Sequence, residues 1–310
     1  MRAGADRSSS LGSPGSDRPN GLRRSRSSRG NRANRSSRGA TASARLVRGT
    51  VYAGAAISMG FLLFIIGYIL VMGIPHIRPE LFEWHYNSTN VSLMPALINT
   101  LLMVLIALAL ATPFGLFAAI YLVEYTKRGN RLVKLIRLMA ETLAGIPSIV
   151  YGLFGLLLFV TALGWGLSLM AGACTLAIMV LPVIMRTSEE ALKAVPDSYR
   201  EGSFGLGAGR LRTVFKVIVP SAMPGILAGV ILGIGRAVGE TAALIYTAGT
   251  VAEVPEGIFD STRTLAVHMY VLASEGLHLN EAYATAVILL LLVIIINTSS
   301  TALARRMTKG

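Results

Sequence analysis

Residues 186–220 read RTSEEALKAVPDSYREGSFGLGAGRLRTVFKVIVP, a polar segment bearing glycine and proline, set between two long apolar runs. Its residues divide it into helices. Glu189, Glu190, Leu192 and Lys193 carry the preceding apolar helix onward, and Val195-Pro196 stops it. Asp197 or Ser198 then starts another, because proline cannot continue a helix and Asp or Ser caps one. A short helix over 198–206 ends at Gly207, which suits a left-handed cap. A second is predicted over 209–219, with Pro220 leading back into apolar sequence. Two short helices held outside a bilayer form a convex handle for a partner's groove; the alternative is an ordinary polar connection.

The apolar runs on either side decide the class. Of the 310 residues, 53% are hydrophobic and 15% charged, with a mean hydropathy of +0.60. A soluble domain carries about a quarter charged residues. Several runs approach the ~20 apolar residues that a spanning helix needs, and the alternation of a β-barrel is absent. The expected fold class is an all-α integral membrane protein with six transmembrane helices, over 51–73, 93–123, 139–161, 168–185, 223–248 and 283–304. Pro113, Pro147, Pro182 and Pro224 lie in or beside these runs. Kinks there require neighbouring helices or water to satisfy the freed carbonyls, which favours a bundle with an internal cavity.

Charge sets the orientation. Net charge is +13, but it is unevenly spread. The first 50 residues hold twelve Arg, two Asp and no Lys among Ser, Gly and Asn. Such a segment buries too little apolar surface to order itself, so 1–48 reads as a disordered cytoplasmic tail beside anionic lipid. RNA binding and phosphorylation are the other readings of that tail. It is too long and too basic for a secretory leader, so the first span stays as an anchor. Residues 49–310 then form the six-span domain, with the polar segment 187–220 inside it.

Counting the tail, 124–138, the segment after span four and the C-terminus, 26 of the 29 basic residues fall on one face. The other face has Arg78 and Arg263 against seven acidic residues. By the positive-inside rule both termini are cytoplasmic. On the outer face, 262–275 reads as a short helix that either lies on the surface for a partner or plugs the bundle.

Enzyme chemistry is not suggested. There is no G-x-x-x-x-G-K-[ST] loop to cradle a nucleotide, and Gly205, Gly207 and Gly209 lack the strand that a dinucleotide fingerprint needs. No H-E-x-x-H or G-x-S-x-G occurs, His76, His85, His268 and His278 are scattered over outer loops, and Cys174 is the sole cysteine. No catalytic residue, cofactor or metal site is expected, and any nucleotide hydrolysis belongs to a partner chain.

Two charges remain inside the fifth span. A charge at the bilayer centre costs about 2.5–3.5 kcal/mol and usually faces a cavity or a partner. Arg236 and Glu240 are four apart, on one face of a continuous helix, so they can pair with each other. Either they form a structural ion pair, or the Arg fork holds an oxyanion through two hydrogen bonds while Glu240 accepts from a protonated oxygen. Glu124 and Glu141 sit at span ends and read as interfacial.

The segment at 201–220 carries a resemblance. Glu201-Gly202-Ser203, then Gly207, then Val217-Ile218-Val219-Pro220 is similar to the EAA motif of ABC importer permeases, with Gly202-Ser203 in place of two alanines and Val217 and Val219 in place of Ile and Leu. Residues 140–155, AETLAGIPSIVYGLFG, and 235–244, GRAVGETAAL, resemble signatures of phosphate-specific permeases, and the Glu-Thr-Ala ending is more similar to PstA-type than to PstC-type subunits. The resemblance covers roughly 45–305.

It implies a type I ABC importer permease fold that moves phosphate by alternating access. It also implies a PstC-like second permease, two PstB-like ATPases docked on Glu201, Gly207, Val217 and Pro220, and a PstS-like external binding protein. Arg236, Glu240 and Thr241 are the expected substrate-path residues. A sulfate or molybdate permease is the nearest alternative. A stand-alone ion-coupled transporter would need inverted repeats and several midplane carboxylates, and Glu240 alone is present. Lipid is an expected partner; nucleic acid is not.

Overall fold

The computed structural model describes residues 29–126 and 129–307. The chain divides into two units, 1–64 and 65–310. Helix α1 (Arg29–Gly73) runs through the boundary. In the first unit it presents exposed Ile57, Phe61 and Leu63. It begins inside the expected tail, because a helix nucleated by the apolar run extends with little further cost. Residues 1–28 of that tail lie outside the described residues.

The second unit is built on three long helices, α2 (Met94–Ile120), α5 (Leu169–Ala194) and α8 (Val219–Val238), with α5 packed between the other two. Met103, Ala107 and Ala111 of α2 and Leu176, Met179 and Ile184 of α5 are buried, and small side chains let the backbones approach closely. Around this centre lie α3 (Arg131–Ala144), α4 (Ser148–Gly155), α6 (Asp197–Gly205), α7 (Arg210–Thr213), α9 (Ala242–Ile245), α10 (Leu265–Glu275) and α11 (Leu279–Met307). π-helical turns extend α2 over Tyr121–Tyr125 and α4 over Leu156–Ala162, and join α7 to α8 over Val214–Ile218.

Among the described residues, five helices are long and apolar enough to cross a membrane, or six if the bent pair α3–α4 counts as one. The fold is all-α, as the hydropathy pattern requires, but two expected spans are broken. The run 139–161 is not one rod: α3 ends at Ala144 and the chain turns by 102° before Ser148–Ala162. Pro147 forbids helical continuation through Ile146. Asn130 caps α3, accepting from Leu132 N–H at 2.9 Å, and Val133 is its one buried residue. An amphipathic helix therefore precedes a short apolar one.

The run 223–248 is broken as well. Its helix extends back through Arg210 but stops at Val238, and Gly239-Glu240-Thr241 separates it from α9. The expected helix over 209–219 is thus not a separate element but the start of the fifth long helix. Pro220 lies inside this continuous helix, directly after the π-helical turn Val214–Ile218, so its missing N–H falls where the regular bonding is already interrupted.

On the face opposite the basic segments, α10 is packed inward, with Leu265, Ala266, Val267, His268 and Leu272 buried. Of the two readings of 262–275, it fits the plug. Its first turn is tied to α2 by Leu265 N–H donating to Thr100 Oγ1 at 2.8 Å. Arg263 stacks over the Tyr86 ring at 4.7 Å, and Tyr86 meets His268 edge-on.

Candidate functional site

The break after Val238 rearranges the expected Arg236/Glu240 pair. Glu240 is buried, and its Oε1 accepts the backbone N–H of Ala243 at 3.1 Å, capping α9. The two residues are therefore not on one continuous helix, and no ion pair joins them. Arg236 is half-buried, and among the described residues it makes no hydrogen bond or ion pair. The expected intrahelical pair fails because the i,i+4 geometry ends with the helix.

The two signature segments meet here. Gly152 of α4 lies so close to α9 that a Cβ on it would sit 2.8 Å from Ala243 Cα. Gly155, one turn on, lies against Thr175 and Thr247. Tyr151, the residue before Gly152, is buried, and its hydroxyl donates to Leu143 O at 2.7 Å across the α3–α4 bend. One locus thus gathers the bend, the break and the unpaired cation. Thr241 instead lines an apolar cavity of about 390 Å³ with Met269, Tyr270, Leu279 and Tyr283, and neither Arg236 nor Glu240 borders it.

Within the 187–220 segment one short helix stands free, between the end of α5 and the start of the long helix over Arg210–Val238. α6 spans Asp197–Gly205, and Gly207 takes φ +82°, the left-handed conformation that the sequence called for. Glu201, Gly207 and Pro220 are exposed, while Val217 is partly buried beside Ile218, which is fully buried. Tyr199, Phe204, Leu206, Leu211 and Phe215 are exposed apolar side chains on this handle, with Leu206 91% exposed. A patch of that kind on a monomer marks a contact surface.

Sequence reasoning missed the residues that hold this handle to the bundle. Arg200 reaches Glu124 at the end of α2, and Glu189 on α5 takes both Arg137 of α3 and Lys193, each at 2.6 Å. Lys193 lies one turn from Glu189 on α5, but Arg200 and Arg137 lie on other helices, 76 and 52 residues from the carboxylates they meet.

A bundle of long apolar helices with a half-buried, unpaired cation, and a handle with exposed apolar side chains at its basic end, defines a membrane transport subunit. The family model for the inner membrane component of binding-protein-dependent transport systems matches residues 111–309. The chain belongs to that family.

Among curated relatives, the probable ABC transporter permease protein YqgI of Bacillus subtilis is 33% identical over 253 residues, covering 75% of this chain and 84% of that protein. The phosphate transport system permease protein PstA 1 of Mycobacterium tuberculosis is 42% identical over 154 residues, half of each chain. Among solved structures, an inward-facing MetNI methionine ABC transporter chain matches with a TM-score of 0.55 at 19% identity, covering 78% of this chain and 98% of its own. A chain of a bacterial alginate ABC transporter reaches 0.61 at 14% identity, covering 84% and 95%. These two share the fold, that of ABC importer permeases.

Proposed function

We propose that this chain is a phosphate-translocating permease subunit of an ATP-driven importer, forming half of the path and hydrolysing nothing itself. The observation that carries the reading is Arg236: a cation in an apolar bundle with no ion pair among the described residues, while Glu240, the acidic residue nearest to it along the chain, is engaged with Ala243 N–H. An uncompensated charge in such a position is retained where an anion visits. Its planar fork matches two oxygens of a phosphate. Glu240 keeps acceptor sites beyond the one it uses, enough to receive the P–OH proton of hydrogen phosphate, which sulfate lacks. Relatives named for phosphate transport support the same substrate.

In this reading Glu201, Gly207, Val217 and Pro220 belong to the handle that docks on a PstB-like ATPase. A PstC-like chain supplies the other half of the path, and a PstS-like protein delivers phosphate on the outer face. Both termini are cytoplasmic, on the basic side.

Labelled phosphate uptake in cells lacking the chain, complemented with wild type or Arg236→Gln and competed with sulfate and molybdate, tests the proposal. Uptake restored by wild type alone, with both complexes assembled and neither competitor effective, is the expected result. Equal restoration by both would return Arg236 to a structural role. Competition by sulfate would replace the substrate with a broader oxyanion class.

A further inference from the structure

Five bonds converge on one side chain at the root of the handle. Arg200 of α6 donates through Nε and Nη2 to Glu124 Oε1 at 3.1 and 2.8 Å. Nη1 donates to Val195 O at 2.9 Å and to Asp197 Oδ1 at 3.1 Å, and Nη2 also donates to Leu192 O at 3.0 Å. A guanidinium has five N–H donors, so all of them are engaged. Leu192 and Val195 are the terminal carbonyls of α5, which lack helical partners, and Glu124 lies in the π-helical turn that ends α2. The Arg200 side chain is 16% exposed and that of Glu124 9%, so water screens the contact little.

Among the described residues, no other α6 side chain is bonded to α2 or α5. Ser203 meets Thr213 of α7 at 2.9 Å, which ties the two parts of the handle only to each other. Asp197 pairs with Arg200 itself. Tyr199, Glu201 and Phe204 face outward.

We propose that Arg200, clamped on Glu124 and on the last carbonyls of α5, is the joint that passes movement of α6 to the two central helices. It is a positioning residue, contacting neither substrate nor nucleotide, and the proposal rests on the reading of α6 as the ATPase-docking helix. A planar fork held from three elements cannot rotate without dragging them. A lysine would offer a point charge on a flexible stem, able to keep one of these bonds but not the set. Loss of the fork should therefore leave α6 docked while the spans respond less to it.

The test compares wild type, Arg200→Lys and Glu124→Gln in the whole complex with its permease, ATPase and binding-protein partners, reconstituted in vesicles. ATP hydrolysis and labelled phosphate uptake are read on the same preparation. With the fork reduced to a point charge, Arg200→Lys should keep roughly half of the stimulated hydrolysis but lose uptake ~10-fold, raising the ATP used per phosphate about fivefold. Glu124→Gln, which retains a neutral acceptor, should move the same ratio about twofold. Hydrolysis and uptake falling in parallel at an unchanged ratio, or neither falling, would overturn the proposal. If Arg200→Lys does not assemble, the Glu124→Gln ratio decides alone. A Gly202→Cys chain in a Cys174→Ala background that fails to cross-link to the ATPase would overturn the docking reading, and this proposal with it.

Discussion

Arg200 and Arg236 carry the same group in opposite circumstances. The first stands at the basic end of the bundle with every N–H engaged by Glu124, Asp197 and two helix-end carbonyls. The second stands among apolar helices with no bond at all among the described residues, although an acidic residue lies four positions along the chain. A satisfied guanidinium holds structure together; an unsatisfied one remains available to a visitor. The chain makes this distinction through backbone geometry. Breaking the helix after Val238 turns Glu240 into a cap, whereas continuing α2 by a π-helical turn places Glu124 beside α6.

Removing each cation is the strongest way to break the comparison. Arg200→Ala leaves the Glu124 carboxylate buried without its partner, which should cost about 3 kcal/mol of stability. The check is a fall in the melting temperature of the purified subunit. Arg236→Gln should leave that temperature unchanged, yet lower phosphate uptake roughly 10- to 100-fold, the worth of a charged hydrogen-bonding contact. Equal destabilisation by both would erase the contrast.

Smaller changes sharpen it. Gly207→Ala forces a Cβ into the left-handed conformation at φ +82°, a cost of about 1–2 kcal/mol confined to the handle. Protease accessibility around residue 207 should rise while the thermal transition of the bundle stays in place. The smallest effect concerns pH. Burial, aided by the nearby Arg263 charge and only partly opposed by the Val91 backbone, pushes His268 down to about 3 from 6.5. The folded state therefore binds the proton less readily than the unfolded one. Stability from this residue is fully present above pH 6.5 and is lost as pH falls toward 3. Over the first pH unit below 6.5 the loss should be about 1 kcal/mol, and His268→Phe should flatten that part of the stability curve.

The all-α class, the long apolar runs, the short helix ending at Gly207 and the polar handle were all legible, because hydropathy, proline and glycine act locally. The α3–α4 bend was masked: Met139, Leu143, Ile146 and Ile149 keep the run apolar straight through it, while Pro147 could equally have marked a kink. The break at Gly239 was hidden for a different reason. Spacing shows which residues share a face only if the helix persists, and nothing local announces that Glu240 prefers Ala243 N–H to Arg236. The Arg200–Glu124 contact joins residues 76 apart in sequence, a separation on which no periodicity bears. Thr241 was grouped with Arg236 through the signature segment 235–244, and the turn between α8 and α9 sets it on a cavity that Arg236 does not border.

The 102° bend also has a dimension. Residues 148–162, counted as the third crossing, make at most about 22 Å of helix, short of the ~30 Å hydrocarbon layer. A short crossing draws headgroups and water inward until the layer thins to match it. Such thinning would fall beside Tyr151, whose hydroxyl is tied to the bend. An anion near Arg236 would then cross a narrower low-dielectric gap than a full-length span imposes, and the proline turn that shortens one helix shortens the barrier too.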